Sequence, residues 1–133
     1  MPRLLSISSR AFLHDEWITN STLTEAVRRL YIFFSQNEMK LVSQTQGDPL
    51  YIVAEQGSQF MTRFIGGWFV NPVKFPKRAT LVIATEPGGV SIEALIEETL
   101  GFGILDTGFR DRYLGYFRTW LYNLHQLFPT RTN

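Results

Sequence analysis

The side chains able to do chemistry are few and scattered. The chain has two histidines, His14 and His125, far apart in sequence. His14 precedes Asp15, and a histidine beside a carboxylate can move protons as a general acid–base pair. The simpler reading of His14-Asp15 is a solvated surface pair. No grouping of His, Asp and Glu has the spacing of metal ligands, so no metal is expected. There is no cysteine, which removes disulfides and thiolate chemistry. Ser58 follows Gly57, but no Gly-x-Ser-x-Gly elbow surrounds it. Glu93, Glu97 and Glu98 do not make an acid–base dyad. Glu93 and Glu97 share a strand face four residues apart, too far to share a proton. No catalytic residue and no cofactor are expected.

Three further features invite chemistry. Gly101-Phe-Gly-Ile-Leu-Asp106 follows a strand pattern and opens a helix, as a dinucleotide-binding loop does. Aspartate stands where the third glycine belongs and would repel a pyrophosphate. The glycines are better read as the turn from sheet to helix. Lys74, Lys77 and Arg78 around Phe75 form a small basic patch. Nothing else adds charge to it, so no nucleic-acid partner is expected. Arg63 lies mid-strand between apolar neighbours. If that face is covered, Arg63 must be paired or meet an anionic ligand; if open, it is a surface arginine, the reading preferred here.

The elements that position these residues follow from periodicity. Thr22-Leu-Thr-Glu25 is a capping box. Leu23, Ala26, Val27, Leu30, Tyr31 and Phe34 then recur on one helical face, so a helix runs to about Gln36. Arg28 and Arg29 fall off that face and read as solvated. Met39 to Thr45 and Leu50 to Glu55 read as strands around the Gln46-Gly-Asp-Pro49 turn. Ser58 to Val70 reads as a longer strand, apolar on both faces, with Gly66-Gly67 marking a bulge or bend. Arg78 to Glu86 and Val90 to Glu97 alternate cleanly about the Pro87-Gly-Gly89 turn. Ser9 to Ile18 alternates poorly and is a weaker first strand. Phe109, Tyr113, Phe117, Trp120, Leu124 and Leu127 make one face of a closing helix over 108–128, which Pro129 ends. That helix needs a broad apolar surface, and a sheet supplies one.

Strands joined by short turns give an α+β fold rather than βαβ units. The expectation is an antiparallel meander of five or six strands packed against an N-terminal and a long C-terminal helix. The 133 residues suit one domain with a real core. A net charge of +1 implies neither a nucleic-acid nor a membrane-surface partner. No stretch has the roughly 18 apolar residues of a membrane span. The first ten residues lack the apolar core and cleavage site of a secretory signal. Their Arg and Ser content is only faintly like a transit peptide, so a cytoplasmic location is expected.

The order early strand, helix, meander over 39–99 and closing helix over 108–128 resembles the START-like helix-grip superfamily. The resemblance covers most of the chain and concerns element order, not motifs. It departs in having one clear helix before the meander and in being short. It implies a hydrophobic or amphipathic ligand bound between sheet and closing helix. The pocket residues would be Phe60, Arg63, Phe64, Trp68, Tyr113, Phe117 and Trp120. The competing expectation is a homo-oligomeric interaction protein, drawn from strand 58–70 and the Gly66-Gly67-Trp68-Phe69 segment. An enzyme ranks third.

Overall fold

The computed structural model describes residues 11–56, 76–99 and 107–132, with backbone only at 107–109. In chain order these residues form β1 (Phe12–Thr19), α1 (Leu23–Gln36), β2 (Lys40–Gln44), β3 (Leu50–Gln56), β4 (Lys77–Glu86), β5 (Gly89–Glu98) and α2 (Thr107–Leu127). The strands make one five-stranded antiparallel sheet in the order β1-β5-β4-β3-β2. The expected α+β class therefore holds. β2 to β5 run as a meander, and β1 returns to pair along β5. The expected strand over 58–70 lies outside the described residues. β3 and β4 pair directly, from Leu50↔Ile83 to Gln56↔Lys77, so no strand stands between them.

Alternation sorts the sheet into two faces. Leu50, Ile52 and Ala54, Ala79, Leu81 and Ile83, and Val90, Ile92, Ala94 and Ile96 are buried on one face. Trp17 and Thr19 of β1 stand on that face, opposite Ile92 and Val90. The other face carries Tyr51, Arg78, Val82, Glu93, Leu95 and Glu97, and no described helix covers it. β2 follows the pattern least, because a bulge between Leu41 and Ser43 shifts its register.

Both helices lie on the buried face. Thr22 caps α1, its hydroxyl accepting from Glu25 N at 3.1 Å. The capping box is one-sided: the Glu25 carboxylate turns to Arg28 and Arg29 instead. Both arginines are thus paired, not merely solvated. The buried stripe of α1 is Ala26, Leu30, Phe33 and Phe34. Phe33 replaces Tyr31, which is exposed, because α2 flanks α1 on the Phe33 side: its Trp120 ring meets Phe33 edge-on at 5.4 Å. α2 buries Tyr113, Leu114, Phe117, Trp120 and Leu124, and Phe128 beyond its end. Phe109 lies outside the described side chains.

The closing turn of the sheet is sterically specified. Pro87 and Gly88 form a two-residue loop, with Gly88 at φ +78°. A Cβ on Gly89 would sit 2.2 Å from the carbonyl oxygen of Thr19, so only glycine fits where β1 ends against β5. Beyond α2 the chain returns to that corner: Arg131 N donates to Ile18 O at 2.6 Å.

Candidate functional site

α2 crosses the buried face obliquely. Its first half meets the start of β4, where Tyr113 Oη donates to Pro76 O at 2.8 Å. Its second half meets β1, where Trp17 Nε1 donates to Phe128 O at 2.7 Å. Three of the expected pocket residues, Tyr113, Phe117 and Trp120, line the sheet-facing side of α2 at 0–1% exposure. Tyr113 and Phe117 rings lie 5.5 Å apart. Phe60, Arg63, Phe64 and Trp68 lie outside the described residues.

This side of α2 is not purely apolar. Among the described residues, Trp120 Nε1, Tyr116 Oη and Arg110 Nε are buried atoms with no hydrogen-bond partner. Buried polar atoms are paired in the great majority of cases. Tyr116 and Trp120 stand four residues apart on one helix face and are near neighbours. Both groups can donate a hydrogen bond.

Facing Tyr116 is a charged group that the sequence reading placed elsewhere. Lys77, grouped with Lys74 and Arg78 in a surface patch, is fully buried. Arg78 points to the open face, where its Nε bonds Glu55 at 2.7 Å. The patch is thus split between the two faces, because successive strand residues point to opposite sides. Lys77 Nζ donates to Gln56 Oε1 at 2.8 Å and sits 4.6 Å from the centre of the Tyr116 ring. Glu98, also buried, is its cross-strand partner on β5. Burial pushes the Lys77 amine down to about 7, and the Glu38 carboxylate only partly opposes this. The same enclosure pushes the Tyr116 phenol up to about 12 and the Tyr113 phenol higher still.

The histidines are separated too. His14 points to the open face and meets Glu93 Oε2 at 2.9 Å. Asp15 points to the helix face and meets His125 Nε2 at 2.8 Å. The His14-Asp15 pair therefore does not exist in the fold: adjacent strand residues face away from each other. His125 stacks on Trp17 with ring centres 3.7 Å apart. Its contacts fasten the end of α2 to β1. Among the described residues no group of three or more His, Cys, Asp or Glu is placed to hold a metal ion, and no helix is long and apolar enough to cross a membrane.

Compared with protein families, curated proteins and solved structures, the chain finds no match. The chemistry of the Lys77 end of the helix–sheet layer must be argued from its own geometry. That end gathers the Lys77 amine, the Gln56 amide, the Tyr113 and Tyr116 phenols and the Glu98 carboxylate, and Trp120 stands one turn further along α2, against Phe33.

Proposed function

We propose that the protein is a non-enzymatic binder of a small amphipathic ligand, held between the sheet and α2 near Lys77. The observation that supports this most is the pair of donors on α2, Trp120 Nε1 and Tyr116 Oη, buried without an acceptor among the described residues. Leaving a buried donor unsatisfied costs roughly 1–3 kcal/mol. A ligand oxygen placed between them would offset that cost. The aromatic walls, Phe33, Phe117 and the Trp120 ring, suit an apolar tail. The element order, similar to that of helix-grip proteins, supports the same reading.

Native mass spectrometry of freshly purified protein, set against its denatured mass, tests the proposal. Extra mass of a few hundred daltons in the native spectrum is the expected result. A bare protein whose melting temperature responds to no amphiphile would refute it.

A second reading, a homo-oligomer, has its own support at the β2 edge. Tyr31 and Ile32 of α1 and Leu41 and Val42 of β2 are large apolar residues 42–54% exposed. Tyr31 Oη bonds the Gln44 side chain, so the α1 and β2 residues adjoin. Light scattering of wild type and Val42→Lys decides it: a dimer that the variant dissolves supports this reading, and a monomeric wild type removes it.

A further inference from the structure

A strand at the edge of a sheet leaves half of its backbone N–H and C=O groups without a ladder partner, and an added extended chain can take them. Among the described residues the sheet has two edges, β1 and β2. A bulge interrupts β2, and bulges guard an edge against added strands. β1 is regular: its eight residues pair with β5 in one unbroken register, from Phe12↔Glu97 to Thr19↔Val90. It also holds no proline and no lysine, two residues that commonly block an edge.

Parity fixes which groups face outward. Glu98 N donates to Ala11 O at 3.0 Å, so the odd residues of β1 bond to β5 and the even ones face away. The chain already occupies one end of this free side. Thr130 bridges to Thr19, and Arg131 N donates to Ile18 O at 2.6 Å. An antiparallel ladder is thereby begun, with Glu16, His14 and Phe12 next in line. Glu16 N turns to a side chain instead, donating to Asp15 Oδ1 at 2.8 Å. Phe12 is 54% exposed, and His14 and Glu16 are exposed as well, so this stretch is open to a partner.

We propose that β1 accepts an extended basic segment of another protein as an added antiparallel strand over Phe12–Glu16. The site lies on the sheet edge and goes beyond the ligand-binding reading. Charge selects the occupant. β1 has no Lys or Arg, and Glu16 stands directly across from Glu93, where like charges repel. His14 bonds Glu93 Oε2 at 2.9 Å, whereas among the described residues nothing pairs with the Glu16 carboxylate. A residue placed opposite His14 or Glu16 turns its side chain to the same open face, so Lys or Arg there meets these carboxylates. A residue opposite Leu13 turns to the helix face, where Leu13 packs against the core, and an apolar side chain fits. The matching pattern is alternating basic and apolar. A second copy of β1 does not match, because antiparallel pairing would set Asp15 and Glu16 against the same carboxylates of the other copy.

The test uses the full chain and a short fluorescent peptide of alternating Lys and Val, capped at both ends. In the ladder its lysines are the hydrogen-bonded residues, so N-methylating their backbone removes the donors and keeps the charge. The expected result is saturable binding by anisotropy, slowed amide exchange at Phe12, His14 and Glu16, and loss of binding on N-methylation. Glu16→Lys, a change at an exposed side chain, should weaken the Lys–Val peptide by roughly five-fold or more and improve binding of a Glu–Val peptide. Equal binding of the plain and N-methylated peptides would overturn strand addition. Wild type that binds the Glu–Val peptide as tightly as the Lys–Val one would overturn the choice of a basic partner. No binding of the Lys–Val peptide at about 1 mM, or protection confined to residues outside β1, would overturn the proposal outright. The exchange measurement is made on wild type, so the test does not depend on a variant folding.

Discussion

Lys77 should make the stability of this protein rise with pH on the alkaline side of neutrality. In the unfolded chain its amine titrates at the ordinary 10.5; in the fold burial brings it to about 7. Between these values the unfolded chain holds a proton that the folded protein has released. Stability then increases with pH. The contribution is fully present only above the unfolded value and is lost as pH falls toward 7. At roughly 1.4 kcal/mol per pH unit, raising the pH from about 7 to about 9.5 should add on the order of 3 kcal/mol. Full enclosure of the side chain means that solvent screening does not reduce this much. Above about 10 the trend reverses. Tyr116 and Tyr113 ionise in the unfolded chain but keep their protons in the fold. Urea titrations at a series of pH values measure the slope directly. Lys77→Met should be flat between pH 7 and 9.5. A wild type with no slope there, or a variant that keeps it, would refute the burial argument.

Four other outcomes follow from particular contacts. Gly89→Ala should destabilise by roughly 1–3 kcal/mol, because its Cβ has no room beside the Thr19 carbonyl; an unchanged thermal midpoint would contradict that geometry. Thr22→Ala should cost about 1 kcal/mol by removing the hydroxyl that accepts from Glu25 N, with helicity of α1 as the readout. Tyr113→Phe removes one of the two bonds to the Pro76 carbonyl, which keeps its bond from Thr99 N, and should cost about 1 kcal/mol, whereas Tyr116→Phe removes a hydroxyl without a partner among the described residues and should cost little in the ligand-free protein. Equal losses in the two tyrosine variants, by denaturant titration, would count against that contrast. His125→Ala should loosen the end of α2 by removing the Asp15 bond and the Trp17 stack, seen as faster amide exchange over 120–128.

Much of the architecture was legible from periodicity alone. α1 and β3 to β5 carry patterns generated by one buried face, and such patterns are local. β1 was harder to read because it is an edge strand with one half-open face. His14, Asp15 and Glu16 break its alternation, and only Trp17 and Thr19 are buried within it. The substitution of Phe33 for Tyr31 in the α1 stripe was not readable locally either. Which side of a helix is buried depends on the second helix beside it, and that contact, Phe33 on Trp120, spans most of the chain.

The most consequential misreading was at Lys77 and Glu98, and here the signal was present. Ala79, Leu81 and Ile83 alternate inward, and two residues back from Ala79 is Lys77. Val90 to Ile96 alternate inward, and two residues on from Ile96 is Glu98. Hydropathy alternation bounds the strands at 78–86 and 90–97, one residue short of each ladder at the end where they meet, whereas β4 and β5 pair as far as Lys77↔Glu98. Hydropathy favours the shorter bounds, since a lysine and a glutamate at strand ends look like solvated termini. Strand parity pointed the other way. When parity places opposite charges at facing positions on the covered side of neighbouring strands, the two can be buried together, and the cost of enclosing them asks for an explanation beyond packing. In this chain the explanation lies in the layer they share with Tyr116 and Trp120, where two donors lack acceptors among the described residues.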